Sequence, residues 1–300
     1  MAAASAPSDR QGVGFIGLGN MGLGLCLNLA KATAGPVFGY ALGYTDAMRA
    51  AIAGRGVEWA TPEEIAASCE IVFTSLPGPS EVAQVMAGAD GVLAAMHEGT
   101  IWCDMTTTSC EDARKMQAAA AGCGVVMIEG PVTGGSDGAW AGPGAMGSRG
   151  GHAVILAAGP PAVVADNKRV AACLAAMGEV VVCGPKVGDG TAMKLITNGA
   201  EYCHSVVLGE ALAVAREHGF TLGASVAAIA ASSGGSYCAS HDGQAVRALD
   251  YDPSFPLSLA EKDLACMKKL AVETSVATPM MDKASCTVGR RKSTAATTRG

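Results

Sequence analysis

The chain has 300 residues, half of them apolar, enough to fill two hydrophobic cores and too apolar for a disordered polypeptide. A formal charge of -6 with only 4% aromatic residues excludes a basic, base-stacking nucleic-acid surface, so no nucleic-acid partner is expected. No apolar run approaches the ~20 residues that span a bilayer, and no membrane partner is expected.

From Val13 onward, short β-like runs alternate with alanine-rich helical stretches, the pattern of βαβ units around a parallel sheet. The strand candidates are VGFI (13–16), VFGYAL (37–42), IVFTSL (71–76), TIWCD (100–104), VVMIEG (125–130), AVILAAG (153–159) and EVVVCG (179–184). Several are apolar on both faces, as buried parallel strands must be. After Pro185 the β-like runs stop, and residues from about Gly190 to His218 read as one long helix followed by further helices to about Ala284. The expected organisation is therefore an α/β, Rossmann-like doubly wound domain over 12–185 and a smaller all-α domain over 186–288. The stretches 142–151 and 232–236 read as loops, and the basic, small-residue run 289–300 as a disordered tail.

The eleven cysteines lie at spacings that suit neither a zinc ribbon nor a disulfide scaffold; they read as free thiols in a reducing compartment, and no metal site is expected. MAAASAPSDR lacks the apolar segment of a secretory leader, which favours a cytoplasmic setting and leaves an organelle address open. The five histidines do not cluster in sequence with carboxylates or cysteines and read as surface or core residues. No GxSxG elbow is present.

The run VGFIGLGNMG places Gly17, Gly19 and Gly22 in GxGxxG spacing directly after an apolar strand and at the start of a helix. Such a turn lets a pyrophosphate approach the backbone and meet the positive end of the helix. With 40 glycines the bare pattern is weak, and it recurs at Gly12/Gly14/Gly17 and Gly142/Gly144/Gly147. Only the 17–22 match has strand, turn and helix in order, and it predicts dinucleotide binding. The end of the second strand reads YALGYT, with no carboxylate before Asp46 and no arginine before Arg49, so NAD and NADP are not discriminated. In GDGTAMKLITN, Lys194 and Asn198 are four residues apart and share one helix face, where an ammonium and a carboxamide can meet one substrate oxygen. Taken alone, Lys194 also fits a solvated surface charge.

Jointly, four separated signatures resemble the β-hydroxyacid dehydrogenases, the family of 3-hydroxyisobutyrate dehydrogenase and the glyoxylate and succinic semialdehyde reductases. They are FIGLGNMG (15–22), DMTTTS (104–109) beside EGPVTGG (129–135), GDGTAMKLITN (188–198) and FPLSLAEKDL (255–264); SLPGPSEV (75–82) resembles the family's Leu-Pro turn. The resemblance spans about residues 12–284. It implies cofactor contacts at Gly17, Leu18, Gly19, Asn20, Met21 and Gly22, and nicotinamide-side contacts at Leu76, Pro77, Thr107 and Lys262. It places a substrate carboxylate at Thr133, Gly134 and Gly135, where a hydroxyl and free backbone N–H groups suit an anion. It makes Lys194 the general acid/base, with Asn198 orienting both that lysine and the substrate oxygen. A lysine near pKa 10.4 is a poor base at neutral pH, so burial is expected to lower it. Asp263 is expected to pair with a nearby cation.

The implied reaction is NAD- or NADP-dependent interconversion of a small hydroxy acid and its aldehyde or keto acid. A homo-oligomer, dimer or tetramer, follows from the resemblance alone. The alternatives are a non-catalytic cofactor-binding or interaction protein of the same fold and an imine reductase-like enzyme; Lys194 argues against the latter. The chain departs from the family at Tyr44 or Ala41, in place of an asparagine-arginine pair, at Gly199 in place of a second asparagine, and in segment 143–151, which reads as an insertion.

Overall fold

The computed structural model describes residues 11–145, 147, 152–250 and 255–297; the 143–151 segment therefore lies largely outside the described residues, as do 298–300. Among the described residues, nine strands form one sheet: β1 (Gly12–Ile16), β2 (Val37–Tyr40), β3 (Val57–Trp59), β4 (Cys69–Thr74), β5 (Ile101–Asp104), β6 (Val126–Glu129), β7 (Val132–Thr133), β8 (Val154–Ala158) and β9 (Glu179–Gly184). Their order is β3-β2-β1-β4-β5-β6-β8-β7, with β9 paired to β8.

The strands from β3 across to β6 pair in parallel, with Phe15 opposite Phe73 and Val72 opposite Trp102 in the Cα register. This block is buried on both faces because helices cover both sides. Val13, Phe15, Leu25, Phe73 and Leu174 fill one apolar layer, and Ile16, Ile65, Val72, Trp102 and Met127 the other. Each large side chain fully buried in these layers contributes roughly 1.5–3 kcal/mol. The sheet is parallel for most of its width, as expected; at its far edge β8 runs antiparallel to β6 and β7 before β9 returns parallel to it. Among the described residues, the connections from β6 through β7 to β8 hold a short helix, Gly135–Ala141, rather than a full crossover helix, and the chain reverses there.

The long helix spans Asp189–Glu217, within a residue or so of its expected bounds. It packs against helices Tyr237–Ala248, Leu257–Glu273 and Pro279–Thr297. The disordered tail expected over 289–300 is corrected as far as Thr297, to which helix continues from Pro279. Val288 packs beside the buried cluster of Tyr202, Ala260 and Leu264, which anchors this helix near its middle. Among the described residues, no helix is long and apolar enough to cross a membrane. Cys26, Cys69, Cys103, Cys110, Cys173, Cys238 and Cys266 are buried free thiols, and burial pushes Cys69 up to about 12, far from a reactive thiolate.

Candidate active site

The ends of the parallel strands and the helical half enclose one cleft of about 2190 Å³. Every residue nominated from the sequence lines it: the 17–22 loop, Leu76, Pro77, Thr107, Thr133, Gly134, Gly135, Lys194, Asn198 and Lys262.

The loop after β1 is held against two neighbouring strands. The Gly17 amide donates to Tyr40 O at 2.8 Å, and the Ser75 amide donates to Ile16 O at 3.0 Å. Gly17 adopts φ +105°, and a Cβ there would collide with the Ser75 carbonyl, so only glycine lets the chain turn at this point. Over Gly19 the space is open, and the first turn of the following helix, Gly22–Ala32, carries no acidic residue. A narrow turn, an open face and an uncompensated helix N-terminus fit a dinucleotide pyrophosphate. At the far end of this region, the Tyr44 hydroxyl donates to Leu18 O at 2.7 Å and its ring stacks on Trp59. Tyr44 thus braces the glycine loop from the position where the family resemblance leads one to expect an asparagine-arginine pair.

Between loop and helical half, Asp104 organises the strand ends. Its Oδ1 accepts from the Thr74 hydroxyl at 2.8 Å and the Thr106 amide at 3.1 Å; Thr106 Oγ1 in turn accepts from the Leu76 amide at 3.0 Å. Burial raises the Asp104 carboxyl to about 6 against these hydrogen bonds. This lattice fixes Leu76, Pro77 and Thr107. Lys262 reaches across to them, its Nζ donating to Thr107 O at 2.6 Å and Pro77 O at 3.2 Å.

Lys194 and Asn198 sit on the inward face of the long helix. Lys194 is only 8% exposed, and among the described residues its ammonium has no hydrogen-bond acceptor. Burial lowers it to about 8, while Asp263 and then Glu201 hold it up and Lys262 adds to the lowering. Asn198 does not grip Lys194 as expected. Its Nδ2 donates to Asp263 Oδ2 at 2.8 Å, and the Tyr202 hydroxyl donates to the same oxygen at 3.0 Å. Lys262 Nζ lies 3.2 Å from Asp263 Oδ1, the cation pairing expected for this carboxylate. The opposite wall is the Thr133–Gly135 turn, with Gly134 at φ +97° and Gly135 at +70°. The Tyr237 hydroxyl donates to Gly134 O at 3.3 Å, tying this turn to the helical half.

Four features escape sequence reasoning. Glu129 anchors the start of the long helix, its Oε2 accepting from the Gly188 amide at 2.6 Å and the Gly190 amide at 3.2 Å, and its Oε1 from the Thr191 hydroxyl at 2.5 Å. Tyr202 lies eight residues after Lys194, on the same stripe, a spacing that could have revealed it. Glu201 also lines the cleft. His241, read as a surface or core residue, lines it too, with Nδ1 2.7 Å from Asp242 Oδ1 and Nε2 3.8 Å from Asp137 Oδ2.

Residues 12–184 match the family model of the NAD binding domain of 6-phosphogluconate dehydrogenase, and residues 188–296 that of the NAD-binding region of NADP-dependent 3-hydroxyisobutyrate dehydrogenase. The 2-(hydroxymethyl)glutarate dehydrogenase of Eubacterium barkeri is 31% identical over 270 residues, covering 89% of this chain and 85% of that protein. The NAD-dependent L-serine dehydrogenase of Pseudomonas aeruginosa is 28% identical over 279 residues, covering 89% and 88%. A crystal structure of 3-hydroxyisobutyrate dehydrogenase from Salmonella typhimurium shares the fold, with a TM-score of 0.82 at 23% identity over 94% of each chain.

Proposed function

The chain belongs to the NAD(P)-dependent hydroxyacid dehydrogenases, the family of 3-hydroxyisobutyrate dehydrogenase, and from that premise we propose that Lys194 is the group that moves the substrate proton. It is an oxidoreductase of small hydroxy acids using NAD or NADP. The observation that carries the proposal is the buried amine of Lys194, lowered to about 8 and opening without a protein partner into the cleft that holds the glycine loop and the Thr133 turn.

The cofactor, when bound on the Gly17–Gly22 loop, supplies the hydride acceptor or donor. The remaining chemistry belongs to this chain. In oxidation the neutral Lys194 amine takes the hydroxyl proton as the carbon loses hydride; in reduction its ammonium returns that proton to the carbonyl oxygen. Thr133 with the Gly134 and Gly135 amides holds the substrate carboxylate. Asp263 positions Asn198 beside the reacting oxygen and Lys262 beside the strand-end loops. Replacing Lys194 by alanine tests this reading: turnover should fall steeply while cofactor binding persists, whereas a protein that serves only as a binding scaffold keeps its behaviour unchanged.

A homo-oligomer, dimer or tetramer, is part of this proposal. Val214, Phe220, Leu249 and Val272 of the helical half are exposed large apolar side chains, a kind of surface that association buries. Light scattering on the purified protein checks it, a monomeric mass at micromolar concentration being the contrary result.

A further inference from the structure

We propose that Glu201 seats a protonated amine on the substrate, so that the cleft favours zwitterionic 2-amino-3-hydroxy acids over hydroxy acids with an apolar or anionic second substituent. This rests on the dehydrogenase reading above and adds the substrate class.

Glu201 follows Lys194 by seven residues and therefore returns to the same stripe of the long helix. Side chains on a helix lean toward its N-terminus, which carries the Glu201 carboxylate back over Asn198 toward Lys194. It faces the cleft, and its half-buried carboxyl is raised above the usual range by burial. Lys194 and His241 pull it down, and Asp242 and Asp263 push it up. Among the described residues, no cation lies within 4 Å of its oxygens and no donor hydrogen-bonds them. A carboxylate taken partly out of water without a partner is costly, and a bound cation removes that cost.

The surroundings say where the cation would come from. Beyond Glu201, His241 stands between Asp242 on its own helix and Asp137 on the helix that leaves the Thr133–Gly135 turn opposite, so one imidazole faces two further carboxylates. That wall is net acidic and suits neither a second substrate carboxylate nor a phosphate. Across the same space stands the Thr133–Gly135 turn, joined to the acidic wall's helix by the Tyr237 hydroxyl on Gly134 O. Lys194, more than nine-tenths buried and without a protein hydrogen bond among the described residues, opens between the two. A small molecule held by its carboxylate on the turn, with its hydroxyl on Lys194, then presents its C2 substituent to Glu201. An ammonium there pairs the Glu201 carboxylate; a methyl leaves it bare.

The test uses the full-length enzyme with NAD+ and NADP+ and four 3-hydroxy acids that differ only at C2. These are serine (ammonium, both enantiomers), glycerate (hydroxyl), 3-hydroxypropionate (hydrogen) and 3-hydroxyisobutyrate (methyl). Serine is expected to exceed 3-hydroxyisobutyrate in kcat/KM by about tenfold or more, the worth of a charge-assisted hydrogen bond, with glycerate between them. Glu201→Gln should cut that serine-to-methyl ratio by about 10- to 100-fold. The inference is overturned if the wild-type enzyme oxidises 3-hydroxyisobutyrate as well as serine, an arm that needs no variant, or if Glu201→Gln moves the ratio by less than about threefold, which would make Glu201 only a tuner of Lys194. Failure to oxidise any of the four with either cofactor overturns the dehydrogenase reading itself, a result distinct from an unchanged ratio.

Discussion

If Lys194 carries the proton, the pH dependence of turnover should report its lowered pKa with opposite sign in the two directions. With a value of about 8, the neutral amine makes up roughly 3% of the enzyme at pH 6.5 and 97% at pH 9.5. Oxidative kcat/KM should thus rise about 30-fold across that window and level off above pH 8, while reductive kcat/KM falls by a similar factor. An amine left at the ordinary 10.5 would instead rise about 900-fold with no plateau before pH 10. The assay is initial-rate absorbance of the reduced nicotinamide in both directions at constant ionic strength. Lys194→Ala should remove the inflection along with about 10²- to 10⁴-fold of the rate, while fluorescence titration still shows cofactor binding. A profile flat from pH 6.5 to 9.5 in the wild type, or an inflection that survives in Lys194→Ala, refutes the assignment.

Other perturbations probe the surrounding supports. Asp263→Asn removes the first of the two influences that hold Lys194 up, so the oxidative inflection should move to lower pH; a shift upward would contradict the charge arrangement. Tyr44→Phe deletes the 2.7 Å bond to Leu18 O and should weaken cofactor binding by about fivefold, near 1 kcal/mol, with kcat little changed. Gly17→Ala sets a side chain at φ +105° against the Ser75 carbonyl and should abolish measurable cofactor binding or lower the melting temperature, whereas wild-type behaviour in both would argue against the turn as drawn. Glu129→Ala strands three donors at the start of the long helix and should destabilise the protein by about 3 kcal/mol, read as a lower midpoint in urea.

The parallel part of the sheet is legible in the chain because strands such as β1 and β4 are apolar on both faces, with Gly17 directly after the first and Pro77 three residues after the second. Val57–Trp59 and Val132–Thr133 are too short to declare themselves, and they pair only because longer neighbours offer an edge. The reversal at β8 is invisible to a pattern that encodes burial and not direction. The end of the last helix escapes for a related reason: a run of small and basic residues reads as coil, yet Val288 just before it finds a buried cluster supplied by two other helices. In the site, the nominated residues come together because each belongs to a local motif at a strand end or on one helix face. His241 does not, since Asp137 stands on the opposite wall and far away in the chain. For Asn198, i,i+4 spacing says that it shares a face with Lys194 but not which acceptor on the facing helix takes its carboxamide; Asp263 is that acceptor.

The helix Leu257–Glu273 explains how two halves with separate cores hold one reaction geometry. Lys262 and Asp263 are successive, so their side chains leave the helix about 100° apart. One reaches across the cleft to the carbonyls of Pro77 and Thr107, and the other turns against the long helix to hold Asn198 and Tyr202. A single rigid rod therefore ties the strand-end loops on the cofactor side to the face that carries Lys194, and a shift of that rod moves both attachments together. The ion pair between the two residues lets the Asp263 charge offset the Lys262 ammonium, which would otherwise lower Lys194 further. The amine can then remain near 8, low enough to act as a base and high enough to return a proton.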